Sequence, residues 1–293
     1  MIIAPGITFR PLDSKLTVFD LASAGAVGFR EWAVLEPVSF SCTCEIESAR
    51  AFATAPGYDT LNRAWLASSL LVLRGFTRHV GLACSAYSWS EIAGCQQRSS
   101  VSRRSNLGKG EASGRCDKPE GELGPFKGGL LDFHISLLVN SESRIDAPTE
   151  DDAAWIQLHF ATFDKLAAES ERFRFALTAA VDWRYSKDLR TAVARLWAGI
   201  ESLLVVNSEL VYRISLISSA LLAPRGEPRR DRFKSVKRLY GLRSKAVHGE
   251  AMPEVSLVEA MNESCRLLRD LLLISIEKGR VLGPEDFDKA IFD

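Results

Sequence analysis

The sequence has no excess of either charge, with 37 lysines and arginines against 37 aspartates and glutamates. A neutral chain has no whole-molecule field to draw it to a polyanion or a membrane, so any such partner must be met by a local patch. Cysteine is scarce. Six residues, Cys42, Cys44, Cys84, Cys95, Cys116 and Cys265, are spread thinly along the chain, which excludes a dense disulfide scaffold and reads as reduced thiols. Long hydrophobic runs are missing: the longest, around Trp65–Leu73 and Leu271–Ile276, fall far short of the ~20 residues that cross a bilayer. Met1 to Thr8 is apolar but short, lacks a basic leader and is ended by Arg10, so no secretory leader is expected. These absences predict a soluble, cytoplasmic protein with no membrane partner. Also missing are a nucleophile elbow, a Walker loop and a paired zinc motif, which removes the hydrolases and nucleoside triphosphatases built on them.

What is present suffices for a packed core. Hydrophobic residues make up 46% of the 293, charged residues 25% and aromatics 9%, and the length suits two domains. Leu16–Phe19, Trp32–Leu35 and Val38–Glu45 are β-branched and aromatic runs broken by Pro and Gly, and predict short strands. Tyr58 to Leu73 has Leu66, Leu70 and Leu73 at helical spacing with Gly75 as a stop, and predicts a helix. His79–Tyr87 and Leu130–Val139 again read as strands.

Between about 96 and 129 the chain is rich in Ser, Arg, Lys and Gly, and predicts a long basic loop or linker. Gly108, Gly110 and Gly114 lack the strand-to-helix flanks of a phosphate cradle. Cys42 and Cys44 share a strand face, but no nearby His or Cys pair completes four ligands, so no metal is expected. His79, His134 and His159 sit among apolar residues and read as core or surface histidines.

From Asp151 the pattern turns helical. The spacing predicts helices over about 151–180, from 188 with Val193, Leu196, Trp197, Ile200, Leu203 and Leu204 on one stripe, over 209–222, from about 231, and over 255–278. Short connections favour antiparallel neighbours. The expected fold class is α+β: a strand-rich mixed region over 1–140, a helical bundle over 150–280 and a C-terminal tail over 281–293.

Pro224 to Lys245 holds nine positive side chains against Glu227 and Asp231. The cluster includes Arg229, Arg230, Arg232, Lys234, Lys237, Arg238 and Lys245, and can contact the phosphates of a nucleic acid or serve as a solvated helix face. Beyond it, Arg243 shares a helical stripe with Val236, Leu239 and Tyr240, which sets a guanidinium on the partner-facing side. One reason for it is structural, a pairing with a carboxylate such as Glu201. Another is catalytic, because His248 follows five positions later, one of only four histidines, and imidazole exchanges protons near neutral pH. On a straight helix the two would point about 140° apart, so either the helix deforms before Gly249 or the groups meet across a dimer.

Arg243-Ser-Lys-Ala-Val-His248-Gly249 resembles the Arg-Ser-Lys-x-Val-His-Gly signature of the Apea-like branch of the HEPN proteins. Arg195-Leu-Trp-Ala-Gly-Ile-Glu-Ser-Leu-Leu is similar to that branch's preceding helix, and Glu209-Leu-Val-Tyr-Arg-Ile-Ser and the basic turn before Leu239-Tyr240 follow in the expected order. The resemblance covers about residues 150–280. It implies a HEPN-type bundle and a metal-independent endoribonuclease without cofactor, acting on RNA as a homodimer in a defence or toxin-like role. Carried over, Arg243 would stabilise phosphoryl charge and His248 would transfer protons, with Ser244 and Glu201 as supporting candidates. The N-terminal region would then meet a regulatory partner or trigger. The alternative is a noncatalytic RNA-binding or dimerisation module of the same superfamily.

Overall fold

A computed structural model describes residues 1–12, 43–48, 60–78 and 137–293. Among these, eight α-helices accompany one three-stranded sheet, so the chain is α+β. The chain divides into two compact units, one of residues 1–2, 6–52 and 80–132 and one of residues 3–5, 53–79 and 133–293. The sheet runs in the order β1 (Ile2–Ala4), β2 (Ile7–Pro11) and β3 (Cys44–Ser48). β2 is antiparallel to β3, with Ile7 opposite Ser48 and Pro11 opposite Cys44. Ile7 and Phe9 are buried while Arg10 is exposed, the alternation of a half-buried strand.

In the second unit, α1 spans Thr60–Leu73, and Leu66, Leu70, Leu71 and Leu73 are buried. Helices α2 (Glu150–Glu169) and α3 (Glu171–Asp182) follow, then a 3₁₀ turn at Trp183–Tyr185 and α4 (Leu189–Leu204). After them come α5 (Leu210–Leu222), α6 (Glu227–Val247), α7 (Glu254–Glu277) and α8 (Pro284–Phe292). α4 is the central helix, packed on α3, α6 and α7, and its whole expected stripe from Val193 to Leu204 is buried. Gly199 is required there: a Cβ on it would sit 2.9 Å from both the Ala179 Cβ and a Leu268 methyl. Backbones this close leave no room for one more carbon.

The helix expected over 151–180 is two helices. Ser170 breaks it with extended backbone (φ −117°, ψ 109°), and its hydroxyl accepts from the Phe173 N–H to cap α3. The Arg174 guanidinium then donates to the Ala167 and Ala168 carbonyls at the end of α2, at 2.7 and 2.8 Å. α6 begins four residues earlier than expected, because Pro228 fits a first helical turn, where its missing N–H has no acceptor to lose. Residues 281–293, expected as a tail, carry α8, which packs on α5 through buried Phe287. Leu137 to Val139, the described end of an expected strand, are not in a strand; Leu138 N–H donates to the Arg184 carbonyl at 2.8 Å. The expected strands at 16–19, 32–35 and 79–87, the loop at 96–129, Cys42, His79 and His134 lie outside the described residues. No helix among the described residues is long and apolar enough to cross a membrane.

The start of α2 is held by a buried charge. Thr149 and Asp152 form a reciprocal cap: the Thr149 hydroxyl accepts from the Asp152 N–H, and Asp152 Oδ2 accepts from the Thr149 N–H and hydroxyl, both at 2.9 Å. Asp152 is fully buried, and Oδ1 also takes Arg74 (Nη2 2.9 Å) and Arg144 (Nη1 2.8 Å). Burial would raise this carboxyl, but the hydrogen bonds from Arg144, Thr149 and Arg74 overcome it and hold the group well below the usual carboxylate range. The two guanidiniums lie over aromatic rings, Arg144 4.3 Å from the Phe76 centroid and Arg74 5.2 Å from that of Trp155.

Candidate active site

The stretch bearing Arg243 and His248 is the last turn of α6 and the cap beyond it. The helix stays regular to Val247, and His248 is the C-cap with φ −82° and ψ 3°. Gly249 then turns left-handed at φ +74°, a conformation that costs other residues a Cβ clash. The Glu250 N–H reaches the Lys245 carbonyl at 3.0 Å and the Gly249 N–H the Ala246 carbonyl at 3.4 Å, the paired bonds of a Schellman turn. The expected glycine after the histidine therefore ends the helix. No deformation precedes it, so Arg243 and His248 stay about 140° apart around the axis.

A residue that the sequence did not single out clamps this turn. Arg190, in the first turn of α4, donates to the carbonyls of Lys245 (3.3 Å), Ala246 (3.0 Å) and Glu250 (2.6 Å), so its guanidinium straddles the backbone on both sides of His248. A cation at a helix C-terminus also meets the negative end of the helix dipole. Arg190 is itself set by the α4 N-terminus, where Asp188 caps by accepting from Thr191 N–H and hydroxyl, each at 2.9 Å; those hydrogen bonds lower the Asp188 carboxyl. The His248 side chain is exposed and has no hydrogen-bond or ionic partner among the described residues.

Arg243 faces the bundle. Its Nη2 is 2.9 Å from Glu201 Oε1, and its guanidinium carbon lies 5.4 Å from the Tyr240 ring centroid. Tyr240 packs edge-on against buried Trp197 at 5.1 Å, so α4 and α6 set the height of the guanidinium between them. The pair is close without being aligned as a hydrogen bond, and the buried Arg243 Nε has no acceptor. Arg243 and Glu201 are about a fifth and a quarter exposed. Ser244 is half-buried, and its carbonyl accepts from the His248 N–H at 3.0 Å.

The basic cluster separates into two groups. Arg229 donates to the Ala223, Ala290 and Ala220 carbonyls, and Arg225 to that of Ile291, tying α6 to the C-termini of α5 and α8. Arg232 pairs with Asp270 at 3.4 Å and Arg238 with Glu259 at 2.9 Å. Burial pushes the Asp270 carboxyl up, against the pull of Arg269 and Arg232. Arg230, Lys237 and Lys245 are exposed and have no partner among the described residues; Lys234 has only exposed Asp231 at 3.7 Å.

Among the described residues no three His, Cys, Asp or Glu side chains are grouped to hold a metal ion. Burial pushes the Cys265 thiol up to about 11, with an Asn140 amide donating to its sulfur at 3.6 Å, so it is an inert core group. His159 leans on the Trp155 ring at 4.8 Å. No protein-family model, curated protein or solved structure matches this chain.

Proposed function

We propose that residues 150–280 form a HEPN-type bundle and that the α6 terminus cuts RNA without a metal, the histidine moving protons and the arginine neutralising phosphoryl charge. The observation that carries this reading is the uncommitted imidazole of His248, exposed on a turn that Gly249 and Arg190 hold in place. A fixed backbone with a free titratable group suits general acid–base work. Arg243 adds donor capacity: its guanidinium is about a fifth exposed and Glu201 approaches only one Nη, which leaves N–H groups that a phosphate oxygen can take.

In the reaction the ribose 2′-oxygen attacks phosphorus as its proton passes to a base. The P–O5′ bond breaks and the 5′-oxygen takes up a proton, leaving a 2′,3′-cyclic phosphate and a 5′-hydroxyl. No protein nucleophile is consumed. Since Arg243 and His248 diverge on one helix, the reading includes a dimer in which a second copy completes the site, and a regulatory role for the N-terminal region in defence or toxin-like action.

The test is cleavage of end-labelled RNA in excess EDTA beside folded His248→Ala. Cyclic phosphate ends that vanish in the variant support the reading; intact RNA with wild-type protein at dimer-forming concentration counts against it. A second reading, a noncatalytic RNA-binding or dimerising module, is favoured by the Arg243–Glu201 ion pair, which a structural arginine would also make. It predicts that Arg243→Ala unfolds the protein instead of sparing the fold and stopping cleavage.

A further inference from the structure

The cations of α6 that have no strong partner are not scattered. Counting about 100° per residue from Arg230, Lys237 lies at about −20°, Lys234 at about 40°, Lys245 at about 60° and His248 back at about 0°. All five are exposed, and they form one row about 27 Å long that ends at the histidine. Gly241 sits in the middle of the row, and a Cβ built on it would meet nothing within 4 Å, so the helix backbone there is open to close approach. The arginines spent on internal bonds, Arg229, Arg232 and Arg243, point elsewhere around the helix. Acids border it: Glu227 in the first turn, Asp231 beside Lys234, Glu259 paired with Arg238, and Glu250 after the histidine.

A second, independent feature flanks the row. Phe233, between Arg230 and Lys237, meets Tyr212 of α5 edge-on with ring centroids 5.7 Å apart at 71°. Tyr212 is 57% exposed, a large aromatic with a free surface beside a line of cations. Single-stranded nucleic acids are held by such a combination, charges tracking the backbone and aromatic faces stacking on bases.

We infer that one unpaired RNA strand lies along the outer face of α6, its phosphates on Arg230, Lys234, Lys237 and Lys245, a base on Tyr212 and its chain leading to His248. A single row matches one backbone, and a stacking platform needs an unpaired base, so a duplex fits neither feature. The choice of RNA rests on the proposed cleavage; the track itself does not.

The experiment is a salt titration by fluorescence anisotropy, with full-length protein carrying His248→Ala and a labelled 12-nucleotide uridine-rich RNA, alone or annealed to its complement. Because this protein does not cleave under the proposed mechanism, binding is read separately from the nuclease reading. Four phosphate contacts on a single strand give a slope of log affinity on log salt of about −2.8, and adding Lys234→Ala with Lys237→Ala brings it to about −1.4. Tyr212→Ala weakens the single strand about tenfold without changing the slope, and leaves the duplex unaffected. Gly241→Glu improves helix propensity, so it folds, yet it sets a carboxylate in the row and weakens binding. A slope unmoved by the lysine pair, or a single strand bound equally well by Tyr212→Ala, overturns the track even if the wild-type chain proves to cut RNA.

Discussion

Asp152 and Arg243 are both charged groups set against helices, and their surroundings differ in what is left over. At Asp152 both carboxylate oxygens are taken by Thr149, Arg74 and Arg144, and both arginines also cover aromatic rings. At Arg243 one carboxylate approaches one nitrogen, Nε is orphaned, and the nearby histidine is bare. The same chemistry serves two ends. A saturated cluster has nothing more to bind and acts on stability; under the proposed function, the exposed part of the Arg243 guanidinium and the bare imidazole are what RNA would meet.

His248→Ala should lower RNA cleavage by about 10²- to 10⁴-fold with an unchanged urea midpoint, measured by single-turnover kinetics beside equilibrium unfolding. Asp152→Ala should do the reverse, costing about 3 kcal/mol in urea unfolding because it strands two arginines, with cleavage intact below the transition. Its pH dependence sharpens the contrast. The Asp152 carboxyl is lower in the folded chain than its unfolded value of about 3.9, so its stabilisation is present at neutral pH and is lost as pH falls through the folded value. Acid titrations of wild type and variant should therefore converge, and a constant gap would refute the assignment.

Arg190→Ala lies between the two extremes. It should cost about 1–2 kcal/mol and slow cleavage as well, since it frees the turn under His248, with Arg190→Lys recovering part of each. The smallest effect is expected of Gly249→Ala, about 1 kcal/mol from the left-handed backbone, read as a lowered melting temperature.

Much of the helical half was legible because apolar periodicity survives in the sequence. The α4 stripe is buried as its spacing predicts, and the approach of Arg243 to Glu201 follows from where the two fall on facing helices. Periodicity also misled. It runs across Ser170, where one hydroxyl and one extended residue divide two helices, it is absent from the charged first turn of α6, and in α8 it spans a single turn, Phe287 with Ala290 and Ile291. The sequence could not sort the basic cluster, because Arg229 and Arg232 look like Arg230 and Lys237 until partners 61 and 38 residues away arrive. Arg190 was invisible for a related reason: it binds backbone carbonyls, which every residue has.

The elbow at Ser170 bears on how the second unit assembles. Its bonds join residues three to seven apart, from Ser170 to Phe173 and from Arg174 back to Ala167, so it closes with little loss of chain entropy. The turn under His248 depends on a guanidinium 55 to 60 residues away. Contacts that local in the chain can form ahead of distant ones, so α2 and α3 can be joined at their angle early, while the Arg190 clamp on the histidine turn waits until α4 and α6 have met. A chain that has not finished folding is thus expected to hold its elbow before Arg190 holds the turn at His248.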